Sequence, residues 1–156
     1  MEPSEKSFVE SLRDYLAQAD AVTNGREIFL LRNLSRGKGI GFFNTVGFYP
    51  DFILWVKEEQ RQRVIFVEPH GMRNDAAPRY NDKIQLHREL KTLSQALAEK
   101  RGADDVVLDS YIISGTSRDI LKVQWNDEWK PEHFTQEHIL FWDELQDKMN
   151  LVVEGP

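Results

Sequence analysis

The apolar pattern of the 156 residues predicts an α/β or α+β domain, with a mixed sheet flanked by helices. Three observations carry that expectation. Two stretches, one from Phe8 and one from Leu86, repeat apolar residues at helical spacing, and four short runs rich in β-branched and aromatic residues lie between and after them. No Pro/Gly/Ser-rich linker or internal repeat divides the chain, and its length suits one domain of about 100–200 residues.

Residues 7–19 set Phe8, Leu12, Tyr15, Leu16 and Ala19 on one helical face, with Ser4 or Ser7 as the cap. After Asn24-Gly25, residues 27–34 form a β-leaning run, and the basic loop Ser35-Arg-Gly-Lys-Gly-Ile-Gly41 ends it. Residues 48–57 and 63–68 read as two strands, and Glu58-Glu-Gln-Arg-Gln62 between them reads as a hairpin loop. Over residues 81–100, Leu86, Leu90, Leu93 and Leu97 predict a helix packed on the sheet through its leucines, and Gly102 stops it. Residues 105–114 make a fourth strand, and Ser117 begins a short helix or turn. Beyond Asn126 the aromatic stretch 129–142 fits either an edge strand or a helix.

The composition narrows the function. Without cysteine there is no disulfide scaffold and no thiolate metal site. No stretch approaches the roughly 18 apolar residues that span a bilayer, and the first residues lack a signal-peptide pattern, so a cytoplasmic setting without membrane contact is expected. A net charge of -6 argues against a free-standing, high-affinity nucleic-acid binder. It leaves a nuclease open, because an acidic metal site contributes negative charge itself and a partner can supply affinity. No Walker phosphate loop is present, so any ATP-driven motor belongs to another domain or subunit.

The chemistry lies in two acids that end apolar runs. Gly47-Phe-Tyr-Pro-Asp-Phe-Ile-Leu-Trp55 holds Asp51 beside Pro50, and Val64-Ile-Phe-Val-Glu-Pro-His-Gly71 holds Glu68 beside Pro69. A hairpin closed symmetrically on Glu59 and Gln60 sets Asp51 opposite Glu68, with Cβ atoms about 4.5–5.5 Å apart. Two carboxylates that close need a proton or a cation between them. Alternation along the strand puts His70 on the side of Glu68, and the two prolines, which cannot donate to a ladder, predict that pairing loosens there. Mg²⁺, or Mn²⁺ in its place, suits such a site, because a hard dication accepts two carboxylates and takes its other ligands from water and substrate phosphate.

Tyr49-Pro-Asp51 followed by Val67-Glu-Pro-His70 resembles the Pro-Asp … (Asp/Glu)-x-Lys motif of the PD-(D/E)XK nuclease superfamily. With Gly41-Phe-Phe and His138-Ile-Leu-Phe141, the chain is similar to the C-terminal nuclease region of helicase-linked type III restriction enzymes, over roughly residues 25–142. The resemblance implies a restriction-endonuclease-like core with a mixed four-stranded sheet. It also implies Mg²⁺ held by Asp51, Glu68 and the Pro69 carbonyl, another acid on the first helix, for which Glu10 stands nearest, and cleavage of DNA alongside a helicase or translocase. The sequence departs from the motif where His70 replaces its lysine, and Lys83 or Arg73 could take over that charge. Arg36 and Lys38, with Arg32 before them, are candidates for phosphate contact, as are Arg79, His87 and Lys91 further on. Two rival readings are a nuclease fold that binds DNA or protein without turnover, and a docking domain whose Trp125, Trp129, Phe134, Phe141 and Trp142 meet a partner.

Overall fold

A computed structural model describes residues 1–18, 25–33, 49–126 and 129–156. The chain runs α1 (Pro3–Gln18), β1 (Glu27–Arg32), β2 (Phe52–Lys57), β3 (Gln62–His70), a 3-10 turn (Pro78–Tyr80), α2 (Asp82–Arg101), β4 (Val106–Ser114), α3 (Arg118–Trp125), α4 (Pro131–Gln136), β5 (Ile139–Phe141) and α5 (Leu145–Val153). The strands form one sheet in the order β1-β2-β3-β4-β5. The first three are antiparallel, and β4 and β5 each add in parallel. The sheet is therefore mixed but has five strands, not four. The stretch that fitted either strand or helix supplies both, α4 and then the short β5.

Alternation along the strands sorts the core into two faces. Phe52, Leu54, Val56, Ile65, Val67, Tyr111 and Ile113 pack against Phe8 and Leu12 of α1 and against Leu145, Met149, Val152 and Val153 of α5. On the other face Ile53 and Phe66 meet Leu86 and Leu90 of α2, and Ile112 meets Ile84, Leu121, Trp125 and Phe134. Helices on both faces let β3 bury side chains to either side. α5 lies beyond the elements expected from the sequence, although Leu145, Met149, Val152 and Val153 carry the i, i+4, i+7, i+8 spacing of a helix.

Local chemistry sets the helix ends. α1 opens at Pro3, whose missing N–H costs nothing in a first turn, and Glu5 Oε2 accepts the Glu2 N–H at 2.7 Å. Ser4 and Ser7 are thus inside the helix and not at its cap; Ser7 Oγ donates to the Pro3 carbonyl. α2 is capped by Asn81, whose Oδ1 accepts from the N–H of Lys83 and Ile84 at 3.1 and 3.4 Å, and it stops at Gly102 with φ 68°. Asn81→Ala is expected to cost about 1 kcal/mol in urea unfolding, with Asn81→Ser close to neutral.

The leucine stripe of α2 packs over only half its length. Leu86 and Leu90 are buried, whereas Leu93 is 46% exposed. The next residue, Ser94, ties the helix to the sheet by accepting the Leu108 N–H at 2.9 Å. The aromatic stretch is also largely interior: Trp125, Phe134 and Phe141 are buried together, and Trp129 packs on them. Those rings form core, which removes most of the surface that the docking-domain reading needs. Among the described residues no helix is long and apolar enough to cross a membrane.

Candidate functional site

The β2–β3 hairpin adopts the register expected from the sequence, Phe52 facing Val67 and Ile53 facing Phe66. One step further sets Asp51 against Glu68, and the Asp51 N–H donates to Glu68 Oε2 at 2.9 Å. The next step sets Pro50 against Pro69, where neither residue has an N–H to give. The β2–β3 ladder stops at Phe52 and Val67, just short of these prolines, and the acids stand at its mouth. Asn33, just past β1, steadies the approach: its N–H donates to the Asp51 carbonyl at 2.7 Å and its Nδ2 to the Pro50 carbonyl at 2.9 Å.

β3 continues through buried Pro69 to His70, paired with β4 from Glu68 opposite Ile112 to His70 opposite Ser114. His70 therefore stays on the Glu68 side. Its Nε2 lies 3.1 Å from Asp75 Oδ2. Asp75 is itself well fixed, accepting from Asn81 Nδ2 at 3.4 Å through its carboxylate and from Trp125 Nε1 at 3.0 Å through its carbonyl. Burial and then Lys83 push the His70 pKa down, against the pull of Asp75. His70 is accordingly a neutral imidazole near pH 7.

The Asp51 charge raises the cost of ionising Glu68, whereas a hydrogen bond from Glu68 eases the ionisation of Asp51. Burial first, and the Asp51 charge second, push Glu68 up to about 8, with Lys83 acting the other way. Asp51 is raised by burial and by Glu5, and lowered by Arg32, Lys83 and a side-chain hydrogen bond with Glu68. Lys83 thus lies close enough to Asp51, Glu68 and His70 to shift all three.

The helix-one acid in this field is Glu5, not Glu10. Glu5 is buried on the α1 face that also carries Phe8 and Leu12, and it pairs with Arg32 at 3.1 Å. Glu10 is exposed on another face, 3.8 Å from Lys6. The missed signal was the i, i+3, i+7 spacing of Glu5, Phe8 and Leu12, which puts Glu5 on the buried stripe. Asp75 had no comparable signal, since a turn after β3 brings it back to His70.

The basic candidates scatter. Arg73 is exposed, and Arg79 is exposed with its guanidinium over the Tyr80 ring. His87 is buried beside His138, away from solvent, and Lys91 lines a separate cavity on α2. Arg36 and Lys38 lie outside the described residues.

No group of three or more His, Asp or Glu side chains converges as a metal cage among the described residues. A pair of carboxylates is nevertheless a sufficient protein share for Mg²⁺, which keeps several waters and binds substrate phosphate. Two adjoining carboxyls of which one holds its proton to about 8 are a donor set that a dication would relieve of repulsion. The chain matches no family model and no curated protein.

Proposed function

We propose that this chain is a Mg²⁺-dependent endonuclease domain that hydrolyses DNA phosphodiester bonds, built on a restriction-endonuclease-like core and working with a helicase or translocase. The observation that supports it most is the facing pair Asp51 and Glu68 with Lys83 in their field. A mixed sheet flanked by helices lends it support at the level of architecture, with five strands where the resemblance implies four.

In this reading Asp51, Glu68 and the Pro69 carbonyl would hold the metal, and His70 and Lys83 divide the work of the missing lysine. A bound dication would supply Lewis-acid stabilisation of the phosphate and a more acidic water. Lys83 brings the permanent positive charge toward the acids. His70, kept neutral and oriented through Nε2 by Asp75, leaves Nδ1 to accept a proton from the attacking water. Arg73, exposed beyond β3, is free to meet the DNA backbone.

Plasmid cleavage tests this. Wild type with Mg²⁺ or Mn²⁺ is expected to nick or cut, and Asp51→Ala to lose at least about 10³-fold in rate. Metal-dependent nicking that survives the substitution would sink the assignment. A second reading, a fold that binds DNA or protein without turnover, draws on the Asp75 hold on His70, which occupies the ring nitrogen that a lysine would replace. It predicts DNA binding with no cleavage in either metal, and gain of cleavage in His70→Lys.

A further inference from the structure

Asp75 reaches His70 only because a surface turn brings it back. β3 ends at His70, and after buried Met72 the chain passes through Arg73 and Asn74, both exposed, before Asp75 Oδ2 meets His70 Nε2 at 3.1 Å. Surface turns are ordinarily the more mobile parts of a fold. This one closes on itself through a single backbone bond, Asp75 N–H to the Met72 carbonyl at 3.0 Å. Asn74 within it sits at φ 68°, a left-handed conformation that asparagine tolerates better than most residues.

The rest of the hold comes from α3, chiefly from one side chain. Gln124 Oε1 accepts the Asn74 N–H at 2.8 Å, and Gln124 Nε2 donates to the Met72 carbonyl and to the Asp75 carbonyl, each at 2.9 Å. A carboxamide has two N–H donors and one carbonyl oxygen, so both donors and the acceptor are engaged by backbone groups of the turn. Glutamate lacks the donors, and asparagine is one methylene short. Trp125 Nε1 adds a bond to the Asp75 carbonyl at 3.0 Å, and the Met72 N–H donates to Thr116 Oγ1 at 2.8 Å. α3 itself is seated by buried Leu121 and Trp125 and capped by Ser117. The turn is thus fastened at Met72, Asn74 and Asp75.

The His70 side of the contact is fixed as well. Its backbone is paired with Ser114 of β4, and the Gly115 N–H donates to its carbonyl at 3.0 Å. With both backbones held, the Asp75 carboxylate stays on Nε2. A neutral imidazole that gives its Nε2–H to a carboxylate presents Nδ1 as an acceptor. A turn free to swing lets the carboxylate leave for water and the ring lose its orientation.

We propose that Gln124 is a positioning residue of this site, which through the Met72–Asp75 turn keeps Asp75 on His70 Nε2 and so holds the imidazole with Nδ1 open. Its bearing on cleavage rests on the nuclease reading; its hold on the imidazole does not.

Proton NMR of the metal-free full chain at neutral pH reads that hold directly. Wild type is expected to show a His70 Nε2–H resonance slowed in exchange with water, assigned by its loss in His70→Gln. Gln124→Glu, close in shape but unable to donate to the two carbonyls, is expected to lose the resonance as Asp75→Ala does. Plasmid cleavage with Mg²⁺ should fall about tenfold in Gln124→Glu. In the Asp75→Ala background the same change should alter cleavage less than about twofold, because the route through Asp75 is already cut. A residue that only stabilises the fold would spare the resonance and cause equal losses in both backgrounds. Should Gln124→Glu fail to fold, Gln124→Met, which drops the three hydrogen bonds without adding a charge, carries the same expectations. No such resonance in wild type, its retention in the Gln124 variant, or equal losses of cleavage in both backgrounds overturns the proposal. A wild type that cuts no DNA overturns the nuclease reading and leaves the resonance to decide on Gln124.

Discussion

Glu68→Gln is expected to make the metal-free protein more stable than wild type at pH 8.5, and no more stable at pH 4. The folded Glu68 carboxyl holds its proton to about 8, above its ordinary 4.5. Below 4.5 both the folded and the unfolded chain carry the proton, and Glu68 costs nothing. As pH rises from 4.5 to 8 the unfolded chain gives it up first, so stability is lost across that window. The glutamine has no proton to lose. The difference between the variants should reach about 2–4 kcal/mol above pH 8, read from urea unfolding at each pH. The comparison is needed because His87 acts in the opposite sense: buried and lowered to about 4, it costs stability as pH falls from 6.5 toward 4. Wild type alone reports the sum of the two; the difference isolates Glu68. A difference that stays flat with pH would place Glu68 in solvent and dissolve the paired site. Mg²⁺ should narrow the gap at high pH in wild type and leave Glu68→Gln unmoved.

Lys83→Gln is expected to lower plasmid cleavage about 10²–10³-fold, the scale of removing one preorganised charge from a developing anion. Lys83 sits one residue inside α2, and the Asn81 cap holds its backbone, so the side-chain change spares the helix start. Losing its charge also lets Asp51 and Glu68 cling to their protons more strongly, since Lys83 lowers both. Weaker metal binding should therefore accompany the rate loss, seen as a higher Mg²⁺ requirement. Lys83→Arg should keep part of the activity, and His70→Lys in the Lys83→Gln background should regain some of it. Full activity in Lys83→Gln would move the cationic role elsewhere, with Arg73 the next to examine.

Much of the fold was legible because its signals are local. The apolar stripes, Gly102 after α2 and the β-branched runs each state a backbone preference within a few residues. The hairpin register was legible too, from closing the loop symmetrically on Glu59 and Gln60. β5 and the face of α2 were harder. A three-residue strand has no periodicity of its own, and whether Leu93 is covered depends on where the sheet beneath it ends.

The facing of Asp51 and Glu68 was thus determined by the sequence itself, through hairpin symmetry and the two prolines just past the end of the ladder. The tertiary structure decided the rest of the site. Glu5 enters the field of the acids because of the phase in which α1 docks, Lys83 because α2 starts over the same strand ends, and Asp75 because the chain turns back after β3. Such convergence joins residues far apart in the chain, and only packing brings them within reach of one another.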